Sequence, residues 1–418
     1  MWKFYYDEAF HDRCITAKEE INIYKENSSD IYTGFFSGYQ DVKEMEIWEK
    51  YEKFEKKYKE IYTIKSDKEL KGTIIKRKNY EFGFASFVDN TINFHADFFE
   101  IFDDDQVVFH IGMFSKTELL ITEFLRNITF TTPFDFHKES FIYSLIKFLY
   151  NYRNQGLLIR MMQIQNQDDV YRVLTELKDL MLNVLDKIEG SKKKEPERNA
   201  IKEVLRILRY GKVSGFQAPQ LKWRYEPIFK GFNKLLHERK INQNKVDLLI
   251  DRENRTYDAA LNSSNYFKCH MGESEENIGL RISDIFAHFF GELAVSLEKE
   301  LREAEIKKEQ DLDKFEYKQK TLLSTRWFTV TEKQFWLWKK IGKIFYENQM
   351  YEWTGYDGTF CDYPVLTFAL LEYNLQYETY QKFIEVKPEE HAEYFNTYCC
   401  AKLTGIYIRG GSKPAIYR

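Results

Sequence analysis

The chain has 418 residues, enough for two or three domains, and 43% of them are hydrophobic, so a chain without a packed core is excluded. With 19 Gly and 7 Pro against 17% aromatic residues, collagen-like and linker-rich architectures are excluded too. Lys and Arg number 62 and Asp and Glu 66, a net charge of −4, so the whole molecule is no generic polyanion binder and any nucleic-acid surface must be a local patch.

The first predicted element is a strand, Trp2 to Tyr6, that runs into the acidic pair Asp7-Glu8. Acid this early argues against a secretory leader. A second strand is predicted over Ile31 to Tyr39, where Gly34 and Gly38 lie among aromatics. A helix follows, with Ile47, Trp48, Tyr51, Phe54, Tyr58 and Ile61 recurring at steps of three and four. Glu69 to Ile75 reads as the start of a β-like segment, Phe84 to Phe102 as an aromatic helix, and Gln106 to Met113 as a strand. From Glu118 to Arg209 the pattern is mostly helical, and its clearest helix stops at Gly190 before the charged linker Ser191 to Pro196. Tyr225 to Arg239 then reads as helix, Lys245 to Asp251 as strand and Ile278 to Leu301 as a long helix.

Beyond Tyr317, Trp327, Phe335, Trp336, Trp338, Phe345, Tyr351 and Trp353 crowd together, which predicts a helical accessory region. Such a surface would suit a protein partner, although a Trp/Tyr-rich core gives the same composition. The predicted layout is an α/β core over 1–117 and 225–316, a helical insertion over 118–224, and the accessory region over 317–418. The five cysteines, Cys14, Cys269, Cys361, Cys399 and Cys400, form no CxxC pair. A disulfide framework or structural zinc site is therefore not expected. No apolar run approaches the roughly 18–20 residues of a membrane span. The expectation is a cytoplasmic protein with no membrane partner.

Carboxylates carry the chemical signal. Asp251 ends an apolar strand, where open α/β sheets bind ligands, although Asp also favours turns. Asp7 repeats that placement at the first strand. Asp284 lies on a helix that is apolar in nearly every direction, on a stripe with Leu280, Ala287 and Gly291. A carboxylate buried there requires an arginine, a helix N-terminus or a bound cation. Oxygen ligands from separate elements suit Mg²⁺ or Mn²⁺, and two such ions about 3.5–4 Å apart can promote phosphodiester hydrolysis. His288, one turn after Asp284, and His270 are candidate proton carriers, though each type more often packs an interface.

These residues resemble a known family. Asp7-Glu8 at the end of the first strand, Glu69-Leu70-Lys71-Gly72, the strand ending in Asp251, and Ser274 to Asp284 occur in the order seen in a widespread bacterial family of uncharacterised-function, ribonuclease H-like domains. That family opens with a strand ending Asp-Glu-Ser and closes with Gly-Leu-Gln-Leu/Ile-Ala-Asp on a helix. The likeness covers about 1–300. The chain departs from it at Ala9, Arg281 and Ser283, none of which removes a carboxylate. The resemblance implies a ribonuclease H-like mixed sheet flanked by helices and a metal-dependent nuclease. Its catalytic residues would be Asp7, Glu69, Asp251 and Asp284, with Mg²⁺ or Mn²⁺ on Asp7, Asp251 and Asp284 and Glu8 in reserve. Arg281 would offer a cation to phosphate or to Asp284. Members often lie among mobile-element and antiviral-defence genes, which points to anti-phage defence or toxicity.

Charge is uneven along the chain. Ser191 to Lys240 holds 14 Lys and Arg against 5 Asp and Glu. Arg198, Lys202, Arg206, Arg209 and Lys212 recur near helical spacing, and Lys222-Trp223-Arg224 interleaves cations with an aromatic ring. Cations bind phosphates and rings stack on bases, so this is the expected RNA- or DNA-binding surface; a solvated basic helix reads alike. The tail's Arg409, Lys413 and Arg418 form a weaker basic feature. The competing functional expectation is a non-catalytic nucleic-acid-binding or scaffold protein of a defence complex.

Overall fold

A computed structural model describes residues 1–10, 14–25, 28–103, 107–192, 194–308, 322–346, 351–354 and 360–409. It is an α/β structure with a mixed sheet between helical layers. Strand β1 (Trp2–Ala9) alternates its side chains, with Phe4 and Tyr6 in one apolar cluster and Tyr5 in the other. Strand β2 (Ile31–Gln40) is buried on both faces, which explains its Gly and aromatic content. A Cβ on Gly34 would stand 2.2 Å from Ile228, so the missing side chain admits a helix onto the sheet.

Helix α1 (Asp41–Ile61) buries four of the six residues of the stripe read from its spacing, Ile47, Tyr51, Phe54 and Tyr58, while Trp48 is half-buried and Ile61, at the helix end, is exposed. The expected β-like segment after Glu69 is instead irregular, with one 3-10 turn at Gly72–Ile74. The aromatic helix begins later than expected, as α2 (Asp89–Glu100). Gly83, at φ +55°, and a 3-10 turn at Gly83–Ser86 break the preceding chain. Strand β3 is Val108–Ser115.

The insertion comprises α3 (Lys116–Leu125), β4 (Ile128–Phe130), α4 (Lys138–Asn151), α5 (Gln155–Met162), α6 (Gln167–Lys187), α7 (Glu195–Leu208) and β5 (Gly211–Val213). Strands β4 and β5 pair antiparallel and close its base. Then come α8 (Glu226–Glu238), β6 (Val246–Asp251), α9 (Asn254–Ser263), β7 (Lys268–Gly272) and α10 (Ile278–Lys308). The C-terminal part adds α11 (Glu332–Tyr346), β8 (Tyr351–Thr354), α12 (Asp362–Tyr373), α13 (Tyr380–Ile384) and α14 (Pro388–Arg409).

The main sheet has the order β7-β6-β1-β2-β3-β8. β1, β2 and β3 form an antiparallel meander, while β6 lies parallel to β1 and β7 parallel to β6. Helix α10 crosses one face, where Phe286 stacks on Phe35 at 4.5 Å. Helix α8 covers the other, with Phe232 stacked on Phe36 at 4.1 Å. The C-terminal part is not a free-standing appendage, because β8 pairs with β3 inside this sheet. Its aromatics are largely interior, with Trp327, Phe335, Trp338 and Phe345 buried and Trp336 exposed. Burial accounts for the crowding of those four rings; the side chains of Tyr351 and Trp353 lie outside the described ones. Lys413, Arg418 and the expected boundary at residue 317 lie outside the described residues. No helix among the described residues is long and apolar enough to cross a membrane.

Candidate active site

Strands β1 and β6 run side by side in register as far as Tyr6 opposite Ile250. The next residue on each is the aspartate singled out in the sequence. Neighbouring strands lie about 5 Å apart, so Asp7 and Asp251 project as neighbours from the C-terminal ends of parallel strands. Alternation puts Asp7 with Tyr5 and Asp251 with Leu249, both on the face that α10 covers.

Helix α10 delivers the third carboxylate. Ser283 Oγ is 3.0 Å from Tyr5 O and 2.9 Å from Ser37 Oγ, which seats the helix on β1 and β2. A Cβ on Gly279 would stand 2.3 Å from the Tyr5 ring, so close approach requires glycine there. Ser283 thus has a packing role. The adjacent Asp284 accepts a hydrogen bond from Gly72 N at 2.7 Å, and Asp7 accepts one from Glu8 N at 2.7 Å. All three aspartates are partly buried.

Their electrostatics record the crowding. Burial, then the charges of Asp284 and Asp251, hold the Asp7 carboxyl well above the usual carboxylate range. Burial also raises Asp284, against the Gly72 N–H and the charges of His288 and Lys71. Asp251 is raised by burial, against the Arg252 N–H and Lys71. The donor set is all oxygen and electrostatically unsatisfied, which fits a hard divalent cation. Even so, no three His, Cys, Asp or Glu side chains among the described residues stand in a metal-holding arrangement as they are. The aspartates converge without closing into a cage.

The other candidates divide sharply. Glu69 lies on the same side, 9% exposed, with Oε1 2.6 Å from Lys71 Nζ. Glu8 follows the strand's alternation to the opposite face, where it accepts from Tyr6 at 2.8 Å and Tyr32 at 2.9 Å. Arg281 does not pair with Asp284. It donates to Ser274 O and Glu275 O at 3.0 Å each, and its Nε is 3.4 Å from Glu55. His288 is buried, and its Nε2 donates to Ile75 O at 2.9 Å, so that ring holds the 69–75 segment against α10. His270 pairs with Asp247 at 2.9 Å rather than with any of the three aspartates.

The basic residues lie on the insertion and the segment after it. Lys202, Arg206, Arg209 and Lys212 are exposed, and Arg206 lies over the Phe134 ring at 3.7 Å. Arg198 reaches back to Ile188 O and Ser191 O, a capping contact. Lys222 is exposed, and Arg224 pairs with Glu123 at 2.5 Å. Trp223 is buried, 5.0 Å from the Tyr32 ring, so it is core rather than a stacking platform. Two open cavities flank this segment; one includes Lys222 and Arg255, the other Phe114 and Lys230, and no carboxylate of the cluster lines either.

The fold and this cluster define an α/β protein with an acidic site at the ends of two parallel strands. Comparison with known protein families, with curated proteins and with solved structures found no match. The residue missed in the sequence is Lys71. Its place in the run Glu69-Leu70-Lys71 was visible, but nothing local showed that the run folds back onto Asp284.

Proposed function

We propose that this chain is a divalent-metal-dependent nuclease on a ribonuclease H-like sheet. One observation carries the reading: Asp7 and Asp251 at neighbouring strand ends and Asp284 on α10 come together from far apart in sequence, and the charges of Asp284 and Asp251 raise the proton affinity of Asp7. Like charges partly removed from water persist at a cost unless a ligand offsets them. A mixed sheet that sets the first strand beside the late strand ending in Asp also supports the family resemblance. When bound, Mg²⁺ or Mn²⁺ would supply Lewis-acid activation of water and neutralise charge on the phosphodiester. Asp7, Asp251 and Asp284 would hold the cation, with Glu69 beside them. Gly72 N–H fixes the Asp284 carboxylate and Glu8 N–H that of Asp7. The exposed cations of α7 would receive the nucleic-acid backbone. The resemblance extends the proposal to a role in anti-phage defence or as a toxin.

The deciding experiment is cleavage of RNA and DNA with Mg²⁺ or Mn²⁺ by the wild type, Asp251→Asn and Asp284→Asn. Loss of at least about 10²-fold in each variant is expected; equal activity in all three ends this assignment. The absence of a closed ligand array among the described residues favours a second reading, a nucleic-acid-binding scaffold. That protein would bind oligonucleotides with no dependence on Mg²⁺ or on the three aspartates.

A further inference from the structure

A carboxylate-rich site repels the phosphate it is meant to receive. Metal ions offset part of that repulsion, but the protein needs a positive group aimed at the phosphate itself. Arg281, the cation expected there, is committed to Glu55 and two carbonyls and is 11% exposed. The cation that the fold does bring is Lys71. Its Nζ is 2.6 Å from Glu69, and its charge acts on both Asp251 and Asp284.

The mounting of this lysine is asymmetric. Its backbone is fixed, because the next residue, Gly72, donates to Asp284 at 2.7 Å. A Cβ at Gly72 would lie 2.5 Å from His288 Cβ, so the loop rests flush on α10. The side chains differ: Glu69 is 9% exposed and Lys71 54% exposed. The anion is held inside, and the ammonium on its flexible stem is left at the mouth. A half-exposed ion pair contributes little to stability, so the fold alone gives this pairing little reason.

We propose that Lys71 is the phosphate-binding cation of this site, parked on Glu69 and moving onto a non-bridging oxygen of a nucleic-acid phosphodiester lying over the three aspartates. The inference rests on the nuclease reading and names the group that meets the substrate. Lysine suits the task, since its ammonium is a compact point charge with three donors on a rotatable stem. Its carboxylate partner keeps it near the site when no strand is bound.

The test uses the full chain as wild type, Lys71→Gln and Lys71→Arg. Binding of fluorescent single-stranded RNA and DNA is measured in Ca²⁺ across a salt series, and cleavage in Mn²⁺. Lys71→Gln should bind about 10-fold more weakly and cleave about 10²-fold more slowly. The slope of log affinity on log salt should fall by about 0.7, the value for one phosphate of a single strand left without its cation. Lys71→Arg should keep the slope and most of the binding. Slower cleavage with unchanged binding and slope would place the role of Lys71 on Glu69 and overturn the phosphate assignment. Wild-type binding, slope and cleavage in Lys71→Gln would overturn the proposal and leave the nuclease reading standing. If the wild type binds but never cleaves, the nuclease reading falls and the slope alone decides Lys71. If it neither binds nor cleaves, both fall.

Discussion

Replacing Asp7 by Asn should make the metal-free protein more stable. The carboxyl of Asp7 is held well above its ordinary range by burial and by Asp284 and Asp251. For an acid whose pKa is raised on folding, stability is fully present below the unfolded value of about 3.9 and is lost as pH rises through the folded value. At neutral pH the wild type therefore carries a cost that the amide lacks. Two like charges about 5 Å apart repel by about 3 kcal/mol at an effective dielectric constant of 20. Partial exposure brings the gain to roughly 1–3 kcal/mol. Asn retains an oxygen to accept from Glu8 N, so the local hydrogen bond survives. For a chain of this length, with an unfolding entropy near 2.1 cal/mol/K per residue, the gain is a Tm rise of about 1–3 °C. Thermal melts with chelator and with Mn²⁺ test both halves of the argument. Wild type should gain about 2.7 kcal/mol at 100 times the metal Kd, and Asp7→Asn should gain almost nothing. A metal-free Asp7→Asn protein that melts below the wild type, or one still stabilised by Mn²⁺, refutes the shared-site reasoning.

Gly72→Ala should lift the 69–75 segment off α10, because the new Cβ would stand 2.5 Å from His288 Cβ and 3.2 Å from the Ile285 backbone. The expected cost is about 1–3 kcal/mol, read by chemical denaturation, together with weaker Mn²⁺ binding as Asp284 loses its fixed donor. Acid should destabilise the fold through His95 and His110, whose buried rings are pushed down to about 3 by desolvation. Their contribution is complete above about pH 6.5 and fades as pH falls towards the folded value. Neither ring nitrogen of His110 has a hydrogen-bond partner among the described residues. His110→Phe should therefore flatten the loss of stability between neutral pH and about pH 4, and an unchanged acid limb would count against this origin. Reversing charge at Arg206 and Arg209 should weaken nucleic-acid affinity and lower the salt slope by about 0.7 for each phosphate of a single strand that these cations neutralise. An unaltered slope would remove α7 from the binding surface.

Much of this architecture follows from local pattern. The stripe from Ile47 to Tyr58 specifies α1, because a helix repeats its face every three to four residues whatever it packs against. The apolar run before Asp251 specifies β6, and the all-round apolar sequence about Asp284 specifies a helix buried on several sides. The three aspartates were legible as candidates for the same reason, since each is a charge placed against an apolar pattern. Alternation along β1 already divides Asp7 from Glu8, and the structure puts Glu8 between two tyrosines on the far face.

Pairing was decided elsewhere. Nothing local says that β6 lies parallel to β1, and that one adjacency turns two isolated aspartates into neighbours. Nor does it say that Arg281 turns to Glu55, that Trp223 faces the core, or that β8 joins the sheet beside β3. The charge of Lys71 acts on Asp251 and Asp284 only because an irregular loop is pinned to α10 by Gly72 and His288. Periodicity reports which face of an element avoids water. Which elements share that refuge depends on packing and loop closure over the whole chain, and these alone brought the charges of this site together.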